Sequence, residues 1–269
     1  MEFNKTTTTS TEAAALAAIA IASAGQFKVG ETPYVVLPQG YKVEDLEKLL
    51  PHPTRPRGKI ELSTADSFIA YVNKYKGGAT NLYISLVGDD RPRFTAVFND
   101  HAELPGWRDF SAEYLPTFSR EWNSWIERHG KQMAQADFAR FIEDNLLDIV
   151  APSGADMLAV AHTLEAKKDV TFRSATRLSD GAQEFTYNEE IQGTAGKGTI
   201  AVPQTFDIGI PVFEGGPAYR ITARLRYRII DGGRLVLWYD LLRSHKVFED
   251  AIDELRTQIE KGTSLKPFK

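Results

Sequence analysis

Cysteine is absent from all 269 residues. That excludes disulfides, thiolate zinc sites, iron–sulfur ligation and a cysteine nucleophile, and it suits a reducing cytoplasm. Histidine is scarce: His52, His101, His129, His162 and His245 are the full set, and none falls in HExxH or another recognised ligand spacing. There is no GxSxG elbow, no dinucleotide fingerprint and no kinase motif set. Residues 193–199, GTAGKGT, are glycine-rich, but Gly198 follows Lys197 where a phosphate loop needs serine or threonine. No catalytic residue, metal site or cofactor is therefore assigned, and a non-enzymatic role is expected. Net positive charge is also missing. At −4, with an isoelectric point near 5.8, the chain as a whole does not attract polyanions.

Among what is present, the alanine-rich run from Ala13 to Ala24 is too short to span a bilayer. Lys5 and Ala22-Ser23-Ala24 faintly fit a secretory signal, against which Glu2 argues. The favoured alternative is a helix capped by Ser10 or Thr11 and ended by Gly25. Its small side chains allow close approach of a second copy, with Leu16, Ile19 and Ile21 as the expected contacts. Further on, Val43–Leu50 predicts a short helix and Lys59–Leu62 a strand. Ser63 caps a helix carrying Phe68, Ile69 and Val72, and Leu82–Val87 pairs with Phe94–Phe98. Two helices, 121–129 and 134–149, and a third after Pro152 fill the middle, with Trp107, Trp122 and Trp125 assigned to the core. His101 reads as part of a solvated turn and His129 as a packing histidine. A strand pair, 170–177 with 184–191, follows, and His245–Lys261 closes the chain as a helix. Its tail is read as loose or clasping a neighbour. The expected class is α+β, dominated by antiparallel sheet with helices packed against it. Three regions are expected: 1–31 as a polar lead and helix, 32–150 as a mixed half, and 151–269 as a sheet half.

The most informative stretch is Phe206–Leu242. From Tyr219 to Ile229 the alternation is strict: Tyr219, Ile221, Ala223, Leu225, Tyr227 and Ile229 share one face, and Arg220, Thr222, Arg224, Arg226 and Arg228 the other. A three-residue turn, Asp231-Gly232-Gly233, sets Ile229 opposite Leu235, Arg228 opposite Val236, Arg226 opposite Trp238 and Arg224 opposite Asp240. A four-residue turn, Glu214–Pro217, sets Val212 opposite Tyr219, Ile210 opposite Ile221 and Asp207 opposite Arg224. Three readings of the arginine face stay open. It is a solvated face with satisfied charges and Arg226 lying on Trp238, or a phosphate-binding face with Trp238 stacking a base, or an ionic layer against another subunit.

Two segments, FSREWNSWIERHGKQMAQADFARFIEDN (118–145) and FDIGIPVFEGGPAYRITARLRYRIIDGGRLVLWYDLLRSHKVFEDA (206–251), together carry a resemblance. From about Thr32 onward the chain resembles the YfdQ-like family of phage and prophage proteins. That family supplies no catalytic residues. The resemblance implies a phage-borne accessory protein in the bacterial cytoplasm, of the kind that assists recombination or replication or counters host defences. The expected partners are a second copy of the chain and either single-stranded nucleic acid or a host defence factor at Arg220, Arg224, Arg226, Arg228 and Trp238. A signalling nucleotide in a subunit cleft, or a purely structural ring or shell, are the alternatives; no membrane contact is expected.

Overall fold

A computed structural model describes residues 8–23, 26–29, 32–35, 40, 42–88, 91–177, 183–194, 202–230 and 233–269. The elements run α1 (Thr8–Ser23), β1 (Gln26–Val29), β2 (Thr32–Val35), β3 (Gly58–Leu62), α2 (Ala65–Tyr75), β4 (Asn81–Val87), β5 (Arg91–Val97), β6 (Phe110–Tyr114), α3 (Arg120–Arg128), β7 (Met133–Ala134), α4 (Gln135–Asp144), β8 (Ile149–Ala151), α5 (Gly154–Thr163), β9 (Glu165–Arg177), β10 (Gln183–Thr194), β11 (Thr205–Pro211), β12 (Ala218–Ile230), β13 (Arg234–Leu241) and α6 (Ser244–Thr263). The chain forms two compact units, Met1–Pro56 and Arg57–Lys269. The protein is α+β, as its sequence pattern indicates.

In the first unit, α1 begins earlier than the capping residues imply, so Ser10 and Thr11 lie inside it. A short hairpin pairs β1 with β2, setting Phe27 opposite Tyr34. The helix expected over 43–50 is reduced to a single 3₁₀ turn, Glu47–Leu49. Val43, Leu46, Leu49 and Leu50 are exposed there, and a short helix with no apolar face to bury is marginal in water.

The second unit holds two larger sheets. One runs β3-β6-β5-β4, with β3 parallel to β6 and the other pairs antiparallel. The other is wholly antiparallel, in the order β7-β13-β12-β11-β8. It draws strands from both sides of residue 150. The β9–β10 hairpin forms as the alternation in 170–191 implies; its tip, and most of the GTAGKGT segment, lie outside the described residues.

Helix α3 shows how local sequence fixes a tertiary position. Ser119 caps it by accepting the Trp122 amide at 2.9 Å, and its own hydroxyl donates to the carbonyl of Pro211 at 2.5 Å. The helix start is thereby fastened to the end of β11. Trp122 and Trp125 then fall on the buried face, one turn apart. Trp125 is fully buried; its indole N–H donates to Asp148 at 2.7 Å, and its carbonyl accepts the hydroxyl of buried Tyr239, also at 2.7 Å. Trp107, by contrast, is 81% exposed, a correction to its core assignment. It sits in the irregular loop before β6 and has no amphipathic element to turn it inward.

Other departures share that origin. Thr64, not Ser63, caps α2. Helix α4 stops at Asp144, and Ile149–Ala151 becomes an edge strand on β11. The strand β6 carried no signal of its own in the sequence, yet it is the central partner of β3 and β5. Nor is the C-terminal tail loose. Phe268 exchanges backbone hydrogen bonds with β4, Ile84 N to Phe268 O at 2.7 Å and Phe268 N to Leu82 O at 2.8 Å. Helices α2 and α6 approach closely at Gly262, where an added Cβ would lie 2.8 Å from Ile69.

Candidate functional site

The long strand β12 carries the alternation expected of it. Ile221, Ala223 and Leu225 are buried, whereas Arg220, Arg224, Arg226 and Arg228 are exposed on the opposite face. Its pairing with β13 follows the sequence register: Ile229 with Leu235, Arg228 with Val236, Arg226 with Trp238, Arg224 with Asp240. Gly233 takes the left-handed conformation that the turn requires, at φ 72°.

The pairing with β11 is shifted by two residues from the expected one. Ile210 faces Tyr219, Ile208 faces Ile221, and Arg224 faces Thr205 instead of Asp207. A two-residue shift leaves every side chain on its expected face, so the hydrophobic pattern cannot detect it. The turn decides. Val212 and Glu214 leave the hairpin to bond Ser119 and Thr117, at 3.0 and 2.9 Å. Phe213 is buried against Phe118 and Phe248.

That shift redistributes the charges. Asp207 pairs with Arg220, at 3.0 Å from Nε and 2.5 Å from Nη2, and also accepts the Thr222 hydroxyl at 2.6 Å. The Thr222 and Arg220 hydrogen bonds hold its carboxyl below the usual range against the opposing effect of burial. Arg226 reaches Asp240 at 3.1 Å. Arg228 donates to the neutral Gln132 at 2.9 Å, and it, rather than Arg226, lies over Trp238, 6.0 Å from the ring. Arg224, expected between two aspartates, carries no ion pair among the described residues.

Arg234, opposite Ile230, shares this face and is exposed. It was missed because it sits at the hairpin end, outside the alternating run; the β13 register is the signal that finds it. Arg224, Arg228 and Arg234 are thus the cations of this face not neutralised by a carboxylate among the described residues. Beside them, a groove of about 510 Å³ is lined by Gln204, Thr205, Arg224, Arg226 and Tyr227.

One edge of β12 is open along this groove. Leu242 N donates to Thr222 O, so the backbone groups of even-numbered residues here point toward β13. Leu225 N donates to Gln204 O on the other side, and β11 pairs no further along β12 than Arg224. The N–H groups of Tyr227 and Ile229 therefore face an edge where no strand is hydrogen-bonded among the described residues.

The remaining candidates are dispersed. Leu16 and Ile19 are exposed on α1, and the side chain of Ile21 lies outside the described residues. His101 accepts the Gly106 amide at 3.0 Å within a loop, and His129, at the end of α3, accepts the Leu241 amide at 3.0 Å. His129 is itself exposed, so it fastens β13 through its ring nitrogen more than through packing. Among the described residues, no helix is long and apolar enough to cross a membrane.

The chain belongs to the family described as an uncharacterized conserved protein, DUF2303, which it matches over residues 5–268. No curated protein and no solved structure matches it.

Proposed function

We propose that this DUF2303 protein is a non-catalytic accessory protein of phage or prophage origin that self-associates and binds single-stranded nucleic acid across its arginine face. The observation that carries the reading is the set Arg224, Arg228 and Arg234, three cations on one sheet face without carboxylate partners among the described residues, beside half-buried Trp238. Alternate strand residues repeat at about 6.8 Å, so Arg224 and Arg228 stand about 14 Å apart along β12, a span that a phosphate backbone can follow, and an indole offers a stacking surface to any base. Arg220 and Arg226 are already held by Asp207 and Asp240. They shape the face more than they add charge to it. The phage setting rests on the resemblance of 118–145 and 206–251.

Because the net charge is −4, attraction has to be local and steeply screened. If three phosphates are neutralised, log affinity for a single-stranded oligonucleotide should fall against log salt with a slope of about −2. Fluorescence anisotropy at stepped salt reads this. Replacing Arg224 and Arg228 by glutamine should flatten the slope to roughly −0.7. Absence of binding at low salt would discard the reading.

A second reading, a protein partner such as a host defence factor, is favoured by the open edge of β12, where an extended segment can add as a strand. It requires a complex that survives nuclease treatment. Self-association draws support from exposed Leu16 and Ile19 on α1.

A further inference from the structure

A second cavity, of about 330 Å³, lies between the first turn of α2, the turn that follows β11, and α6. None of the arginine-face residues lines it. Its charge is entirely of one sign: Asp66, Glu214 and Glu254 border it, and no lysine or arginine does. None of the three has an ion pair among the described residues. Elsewhere on α6 the acids are matched, Glu249 and Asp250 by Lys246 and Asp253 and Glu260 by Arg256. Among the described residues Glu254 instead accepts only the hydroxyl of Tyr219, at 2.5 Å, and Asp66 only the Gln258 amide, at 3.4 Å.

A second observation is independent of that charge. Tyr114, the last residue of β6, lines the same cavity while only 4% exposed. Its ring packs on Phe68 and Phe94, but its hydroxyl has no hydrogen-bond partner among the described residues. Burial, and then the charge of Asp66, push this phenol up to about 12, so it stays neutral and can both give and take a hydrogen bond. The walls between these groups are apolar, from Phe213, Pro217 and Leu255. That composition disfavours a bare metal ion, which needs converging oxygens on most sides. Among the described residues, no group of three or more histidine or carboxylate ligands is placed to hold one.

We propose that this cavity binds a small organic ammonium ion, its alkyl body against the apolar walls and its charged head among Asp66, Glu254 and the Tyr114 hydroxyl. An ammonium carries three donors and no acceptor, matching a site rich in acceptors and free of competing cations. The volume falls at the small end of the usual range for ligand pockets.

The test titrates the full chain with 1,5-diaminopentane by calorimetry at low salt, with 1,5-pentanediol as the uncharged isostere. Saturable binding of the diamine alone is expected. Glu254→Gln should weaken it about tenfold, the loss of one charge-assisted hydrogen bond. Glu249→Gln, outside the cavity, should leave it unchanged. Tyr114→Phe should weaken binding several-fold while the melting temperature holds or rises, which separates a ligand contact from a folding defect. Absence of binding, equal binding of the diol, or equal losses in the Glu254 and Glu249 variants would overturn the proposal. None of these outcomes bears on the arginine face.

Discussion

At Asp100, four donors converge on a carboxylate that is only 2% exposed: the hydroxyl of Tyr83, the amide of Asn81, the backbone of His101 and the guanidinium of Arg108. Burial by itself works to raise this carboxyl. The hydrogen bonds from Tyr83, His101 and Asn81 and the charge of Arg108 outweigh it, and the net shift is downward. A folded-state value below the unfolded one means that the unfolded chain takes up the proton more readily. The stabilisation is thus complete above an ordinary aspartate value of about 4 and fades as pH falls toward the folded value. Asp100→Asn should lower stability at pH 7 by about 1–3 kcal/mol. It should also remove this part of the acid-side slope in urea melts run from pH 3 to pH 7. An unchanged slope would mean that the four donors do not act on a charged group.

At the level of the element, β12 has two edges with different obligations. The N–H of Arg228 points into the β13 ladder, and that of its neighbour Ile229 points to the open edge. Arg228→Pro should therefore cost about 3 kcal/mol or more, since it deletes a ladder bond inside a sheet. Ile229→Pro should cost much less. Thermal melts of the two variants check this reading directly. The Ile229 variant also separates the two functional readings. It should abolish strand addition by a protein partner but leave the salt-dependent binding of an oligonucleotide largely intact. Equal destabilisation by both prolines would show the edge to be occupied.

For the whole molecule, net charge and the two compact units set the frame. A chain at −4 repels polyanions at long range, so any nucleic acid retained through purification is held locally. Native mass measured by light scattering, with and without nuclease, separates bound nucleic acid from true self-association. Deleting residues 1–25 removes α1, with Leu16 and Ile19. If that helix joins copies of the chain, the mass should fall to that of one chain, about 27 kDa on the usual ~110 Da per residue. An unchanged mass would place any assembly contact elsewhere.

The amino-acid sequence determined, by itself, the features that depend on neighbours a few positions away. Strict alternation with one left-handed glycine set the β12–β13 register, and Trp122 and Trp125 at helical spacing set the buried face of α3. Tertiary structure alone decided what the local period leaves equivalent. A two-residue shift of β11 keeps every face the same, so the burial of Phe213 against Phe118 and Phe248 selected it, and with it that Asp207 meets Arg220 instead of Arg224. The same holds for β6, recruited by its neighbours, for Phe268 docking on β4, and for the acidic cavity, whose walls come from segments more than a hundred residues apart. Side-chain periodicity is a property of the backbone nearby; which face meets which is settled only when distant surfaces compete to leave water.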